Sequence, residues 1–360
     1  MNEIEKVDKN FDLSRRRGED VELEYYDIPH PTFDLYGVFY DKEYGGFLRV
    51  PMDVAKSVSP GIEILTKQTS GGRIRFSTDS SVVEIQVNTG STSLPPHMTL
   101  TMKGGFILLE ERPRDKKYIS ILPPPSVEGQ KEYTAKTKID GPKKMRNFIL
   151  YFPLYGPVRS LKIGLEKDAR VEHGKKYKDV APIVYYGSSI TQGGCASRPD
   201  NCYQGWIEKW NNVDYINRGF SGNGKGEDEM VDYLISLPCS LFVSDFNHST
   251  IPLEDLRERH PRLYRRYREA HPDTPILILS KTNLWEGNDN AEREKIIRGT
   301  YEMAKANGDK NVYFISGHDM FKGRDKMSLC IDCDHPNDHG FYLMAKKIYK
   351  KMIEIDEKFK

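Results

Sequence analysis

The apolar pattern changes character once along this chain, at residues 167–180, and that change limits the fold more than any single motif does. Before it, short β-type runs follow one another with turn residues between them, at 21–26, 35–40, 73–76, 82–87, 98–102, 106–109, 118–122, 148–152 and 161–165. Several alternate apolar and polar residues, as a half-buried strand does. Many short strands with few helical patterns predict an antiparallel, jelly-roll-like β-sandwich. Residues 54–58 read as a short helix or a turn. After the change, strands at 183–186, 214–219, 240–245, 275–280 and 312–316 alternate with helices at 203–211, 228–236, 252–271, 290–306 and 338–354. Such alternation implies a parallel sheet with helices on both faces. Pro261 interrupts 252–271 and is placed to start a second helix there. Asn337 or Asp338 is positioned to cap the last helix. The fold class is α/β: an arm at 1–20, a sandwich domain at 21–166, a linker at 167–180 and a three-layer domain at 181–360.

At 360 residues the chain is long enough for two domains. Its net charge of +1, with basic and acidic residues interspersed, argues against a nucleic-acid partner. No apolar run approaches the roughly 18 residues of a membrane span, so no membrane partner is expected. The opening 20 residues are polar and lack a secretory pattern. The cysteines at 195, 202, 239, 330 and 333 therefore read as free thiols in a reducing, cytoplasmic setting. Cys330 and Cys333 have CxxC spacing beside Asp332 and His335, but no second CxxC or HxxxH pair completes a four-ligand site. Neither a metal nor a cofactor is expected.

Two stretches carry the chemistry. The apolar run 183–186 leads into Gly187-Ser188-Ser189, which places Ser189 where the first parallel strand gives way to loop. That is the sheet edge at which open α/β folds bind ligands. Far downstream, Asp332 and His335 share one short loop before the final helix. A serine hydroxyl is a weak nucleophile without a base in reach and an acid to fix that base's tautomer. The chain order serine, acid, histidine suits such a triad. Asp334 is a rival acid and His339 a rival base. The glycine-rich stretch 217–226 could bring backbone N–H groups close to an oxyanion, or could be a phosphate loop or a flexible turn. It has neither the G-x-G-x-x-G order after the first strand nor G-K-[ST]. Asn247 and His248 follow the third parallel strand. Trp285 could stack on a sugar ring or fill a core.

Taken in order, these blocks resemble the SGNH (GDSL-type) hydrolase superfamily. Gly187-Ser188-Ser189-Ile190 is similar to its first block, with Ser189 at the nucleophile and Ser188 where Asp is usual. Phe220-Ser221-Gly222-Asn223 resembles the second block, and implies that Gly222 supplies an oxyanion N–H beside that of Ser189. Asp332 through Asn337 resembles the last block, with acid and base at Asp332 and His335. The third block implies an oxyanion asparagine. Asn247 has the right residue type, whereas the position four after Asp245 holds Ser249. Residues 71–80 and 97–106 are similar to the sandwich that precedes the hydrolase in GxDLY-type members. The naming motif stands here as Gly105-Phe106-Ile107-Leu108-Leu109, with Asp and Tyr both replaced.

The resemblance implies a serine esterase that removes O-acetyl groups from oligosaccharides, with Ser189 acylated, His335 as base and then acid, and Asp332 orienting it. Two alternatives stand beside it: a short-chain lipid esterase or thioesterase on the same machinery, and an inactive carbohydrate-binding protein.

Overall fold

The computed structural model describes residues 6–8, 20–90, 97–124, 130–247, 251–282, 289–332 and 334–360. Two large antiparallel sheets and a two-stranded one, Phe39–Asp41 with Gly46–Leu48, build the N-terminal half. One orders its strands Leu23–Ile28, Ser160–Glu166, Val82–Asn88, Glu132–Lys138. The other runs Val171–His173, Arg73–Thr78, Arg146–Tyr151, Phe106–Glu111, Lys116–Leu122, with Asp34–Tyr36 also paired to Arg73–Thr78. Side chains alternate across a strand. Ile74 and Phe76 therefore enter the sandwich core with Val83, Ile85, Phe148 and Leu150, while Arg73 and Arg75 leave on the opposite face.

Two sequence expectations change here. Val171–His173 falls within the stretch read as a linker, yet pairs antiparallel with Arg73–Thr78. Asp79 holds the chain just before it, accepting from the Arg170 backbone N–H at 2.8 Å and from its Nε at 3.1 Å. Residues 98–102, read as a strand, lead into the helix Leu100–Gly104. Thr99 caps that helix by accepting from the Met102 N–H at 3.3 Å, and Met102 is buried in the core of the C-terminal half.

The C-terminal half is built on a five-stranded parallel sheet. We label its strands β1 (Ile183–Gly187), β2 (Tyr215–Gly219), β3 (Leu241–Asp245), β4 (Ile276–Leu279) and β5 (Val312–Ile315). Their order across the sheet is β2-β1-β3-β4-β5. On one face Ile183, Tyr185, Val243 and Leu277 meet the helices Tyr203–Asn211 and Asp338–Ile355. On the other, Val184, Tyr186, Phe242 and Ile278 meet Asp228–Ile235, Leu253–Ala270 and Asn290–Ala306. The helices Met52–Val58 and Pro60–Leu65 join this second face through Ala55 and Ile62.

Pro261 does not start a new helix; it lies inside the single helix Leu253–Ala270. Proline removes one backbone hydrogen bond at such a site. Here Leu256 before it and Leu263, Tyr264 and Tyr267 after it are all buried against the sheet, and that packing carries the helix through. Asn337 rather than Asp338 caps the final helix, accepting from the Gly340 N–H at 3.1 Å. Among the described residues, no helix is long and apolar enough to cross a membrane.

Candidate active site

The pairing register sets the site. Gly187 at the end of β1 lies opposite Gly219 of β2 and Asp245 of β3. Three strand ends thus stand level where the sheet order reverses, the crevice in which doubly wound sheets bind ligands.

Ser189 opens a four-residue helical turn, Ser189–Gln192, directly after β1. The first backbone N–H groups of a helical turn have no intrahelical acceptor, and no side chain caps this one at Ser188. Neighbours from both halves fix it. Thr191 O accepts from Gln204 Nε2 and Asn217 Nδ2, each at 2.7 Å. Gln192 O accepts from Ser70 Oγ at 2.7 Å, Gln192 Nε2 donates to Gln68, and Gln192 Oε1 accepts from the Ser221 N–H at 2.9 Å. Nothing in the local spacing near 68–70 or at Gln192 announces this clamp, because its partners are distant in sequence.

His335 and Asp332 meet Ser189 from the loop before the last helix. His335 Nε2 lies 2.8 Å from Ser189 Oγ, and His335 Nδ1 lies 2.7 Å from Asp332 Oδ2. Asp332 Oδ1 also accepts from the backbone N–H groups of His335 at 2.7 Å and Asp334 at 3.1 Å. Partial burial pushes the Asp332 carboxyl up, but the His335 backbone and ring hydrogen bonds outweigh it and hold the group below its ordinary range. The rivals are placed elsewhere. Asp334 pairs with Lys281 Nζ at 2.9 Å, and His339 is exposed in the first turn of the last helix. Gly194 runs so close beneath that a Cβ there would meet Tyr155, Ser189 and His335 at 2.9–3.2 Å.

Gly222 follows β2 with φ of +66°, in the left-handed region that glycine enters without strain. Its backbone N–H makes no hydrogen bond among the described residues, so it is available to an oxyanion. Asn247 is different. It is buried, and its Nδ2 already donates to Asp245 Oδ1 at 3.3 Å and to Leu279 O at 3.0 Å. Its amide donors are engaged inside the fold, which corrects the expectation that Asn247 offers one to the site. Ser249, Trp285 and Cys333 lie outside the described residues.

Asp245 sits beneath the Ser189 turn, buried, accepting from Thr191 Oγ1 at 2.8 Å. Burial raises its carboxyl to about 7 despite hydrogen bonds from Thr191, Asn247 and Tyr203. Burial lowers His260 to about 3. The two act on stability with opposite sign. An acid raised from 3.8 stabilises the fold at low pH and loses that effect as pH rises towards 7; a histidine lowered from 6.5 favours the fold at higher pH and loses that effect as pH falls towards 3. Their windows overlap between about pH 4 and 6.5, where they largely cancel. Asp245→Asn removes one partner, so its urea midpoint is expected to climb across that window relative to that of the wild type. Parallel profiles for the two proteins would refute this.

Residues 180–354 match the GDSL-like Lipase/Acylhydrolase family, and residues 23–171 match the N-terminus of SGNH-hydrolase-type esterases. The chain belongs to the GDSL-like SGNH hydrolases. Among solved structures, this SGNH hydrolase resembles a protein from Bacteroides ovatus assigned as a GDSL-like lipase, with TM-score 0.82, 27% identity and coverage of 93% of this chain and 98% of that one. It also resembles the salicylyl-acyltransferase SsfX3 of a tetracycline biosynthetic pathway, with TM-score 0.75, 18% identity and coverage of 92% and 97%. An acetyl xylan esterase from Butyrivibrio proteoclasticus shares the fold at TM-score 0.59 and 13% identity, covering 94% and 100%. No curated protein sequence matches the chain significantly.

Proposed function

We propose that this SGNH hydrolase is a serine esterase that removes O-acetyl groups from oligosaccharides. The observation that carries the reading is the unbroken hydrogen-bond chain from Ser189 Oγ through His335 to Asp332. Ser189 Oγ attacks the ester carbonyl as His335 Nε2 takes its proton. Asp332 steadies the imidazolium, and the N–H groups of Ser189 and Gly222 receive the oxyanion; each such donor is worth roughly 3–4 kcal/mol in the transition state. His335 then protonates the departing sugar hydroxyl. Water, activated by the same histidine, releases acetate and restores Ser189.

The acetyl-sugar substrate is favoured by the fold shared with the acetyl xylan esterase and with family two carbohydrate esterases. The test is acetate release from acetylated xylo- and manno-oligosaccharides, wild type beside Ser189→Ala. Release by the wild type alone is expected. Ser189-dependent cleavage confined to longer acyl esters would keep the machinery and replace the substrate with a lipid or thioester. No Ser189-dependent cleavage of any ester would leave a binding protein.

A further inference from the structure

A second group of side chains touches the acid of the triad from outside it. His97, Cys195 and Asp332 place one imidazole nitrogen, one sulfur and one carboxylate oxygen within 4.8 Å of one another. His97 comes from the sandwich half, just before the helix Leu100–Gly104, and reaches across the junction between halves. Its Nε2 is 3.7 Å from Asp332 Oδ2, the same oxygen that faces His335 Nδ1 at 2.7 Å.

We propose that these three residues form a zinc site, and that its occupation switches off the hydrolase. Imidazole, thiolate and carboxylate are the ligand types of zinc, whereas calcium and magnesium take oxygen alone. Zinc–ligand bonds of about 2.0–2.3 Å set tetrahedral ligand atoms roughly 3.3–3.8 Å apart. The His97–Asp332 pair, at 3.7 Å, already has that spacing; the three atoms together lie within 4.8 Å, and the His97 side chain, 39% exposed, has room to close the difference. Cys195 adds a separate observation. It is a free, buried cysteine with φ of +71°, a conformation in which a non-glycine residue is strained. The backbone is held in that conformation where the side chain meets His97 and Asp332, and strain of this kind gathers at functional positions. On binding, the Cys195 thiol proton passes to solvent and the sulfur–zinc bond replaces it. Water completes the coordination.

The consequence follows from the shared oxygen. A divalent cation on Asp332 Oδ2 draws away the charge that steadies the His335 imidazolium. The inference rests on the proposed esterase for its effect on activity, but not for binding. The experiment therefore has two arms, both on the full chain. Zinc uptake is measured by competition with a chromophoric chelator, for wild type, His97→Ala and Cys195→Ala. Hydrolysis of a short-chain ester is titrated with zinc and reversed with EDTA. One zinc per chain in the wild type is expected, weakened at least tenfold in each variant. Inhibition should be at least tenfold, with His97→Ala needing at least tenfold more zinc for half-inhibition relative to its own basal rate. His97→Ala alters an exposed side chain and keeps the test decisive if Cys195→Ala fails to fold. Equal zinc affinity in wild type and His97→Ala overturns the site. His97-dependent uptake without inhibition overturns the switch. A wild type that cleaves no ester defeats the esterase reading, and the uptake arm still decides the site.

Discussion

Ser189→Ala is expected to lower kcat on a short-chain ester by about 10⁶-fold, and Asp332→Asn by about 10⁴-fold, with both proteins folded. The first change removes the attacking oxygen. The second is subtler. The introduced carboxamide would still accept the backbone N–H groups of His335 and Asp334 through its oxygen, at the positions now 2.7 and 3.1 Å away. The loop that carries His335 therefore keeps its turn. The amide nitrogen, however, would replace Oδ2 opposite His335 Nδ1. Two donors cannot face each other, so the imidazole moves its proton to Nε2, where it can no longer accept one from Ser189 Oγ. Activity falls while the structure survives. Steady-state kinetics beside circular dichroism and urea unfolding would check this. An Asp332→Asn enzyme with more than a tenth of wild-type kcat would mean that another group orients His335, and the candidate acid would be wrong. Asp334 cannot readily substitute, because it is paired with Lys281.

The candidate triad was legible because each of its two stretches carries its own local signal, although the serine and histidine are 146 residues apart. Asp332 and His335 share one short turn, and Ser189 follows an unmistakable apolar strand, so residue order alone aligned them. The parallel sheet was legible for a similar reason: each strand is a short apolar run followed by an amphipathic helix, and 203–211 and 290–306 coincide with their helices. What the pattern could not reveal is what covers a polar face. Arg73-Ile74-Arg75-Phe76 alternates as a strand with one wet side would, yet Arg73 and Arg75 are fully buried. Likewise, Asn247 has the chemistry of an oxyanion donor and the right strand end, but only the folded structure reveals that its amide is tied to Asp245 and Leu279. His97 and the Ser70–Gln192 contact belong to the same class, since both join residues more than 100 apart in sequence.

The buried arginines carry the last prediction. Arg75 Nη2 lies 2.8 Å from Glu111 Oε1, 2.9 Å from Glu208 Oε1 and 2.8 Å from Asn212 Oδ1. The Tyr177 ring covers the guanidinium at 3.5 Å, and Lys116 pairs with both glutamates. Arg75, Lys116 and Glu111 come from the sandwich half, Glu208 and Asn212 from the sheet-and-helix half. Burial alone would push Glu208 up, but Lys116 and Arg75 hold it ionised, at about 2. Arg75→Met would leave two buried carboxylates facing one lysine, which is expected to destabilise the fold by about 3–5 kcal/mol. The loss should come from uncompensated charge rather than from the missing arginine as such, because desolvation offsets much of what a buried ion pair gains. Adding Glu111→Gln to Arg75→Met leaves Glu208 and Lys116 as a balanced pair, and should therefore recover a large part of it. Urea unfolding at pH 7 would measure both steps. A single variant that loses less than about 1 kcal/mol, or a double variant that is less stable than the single, would rule out charge compensation as the way the two halves are joined.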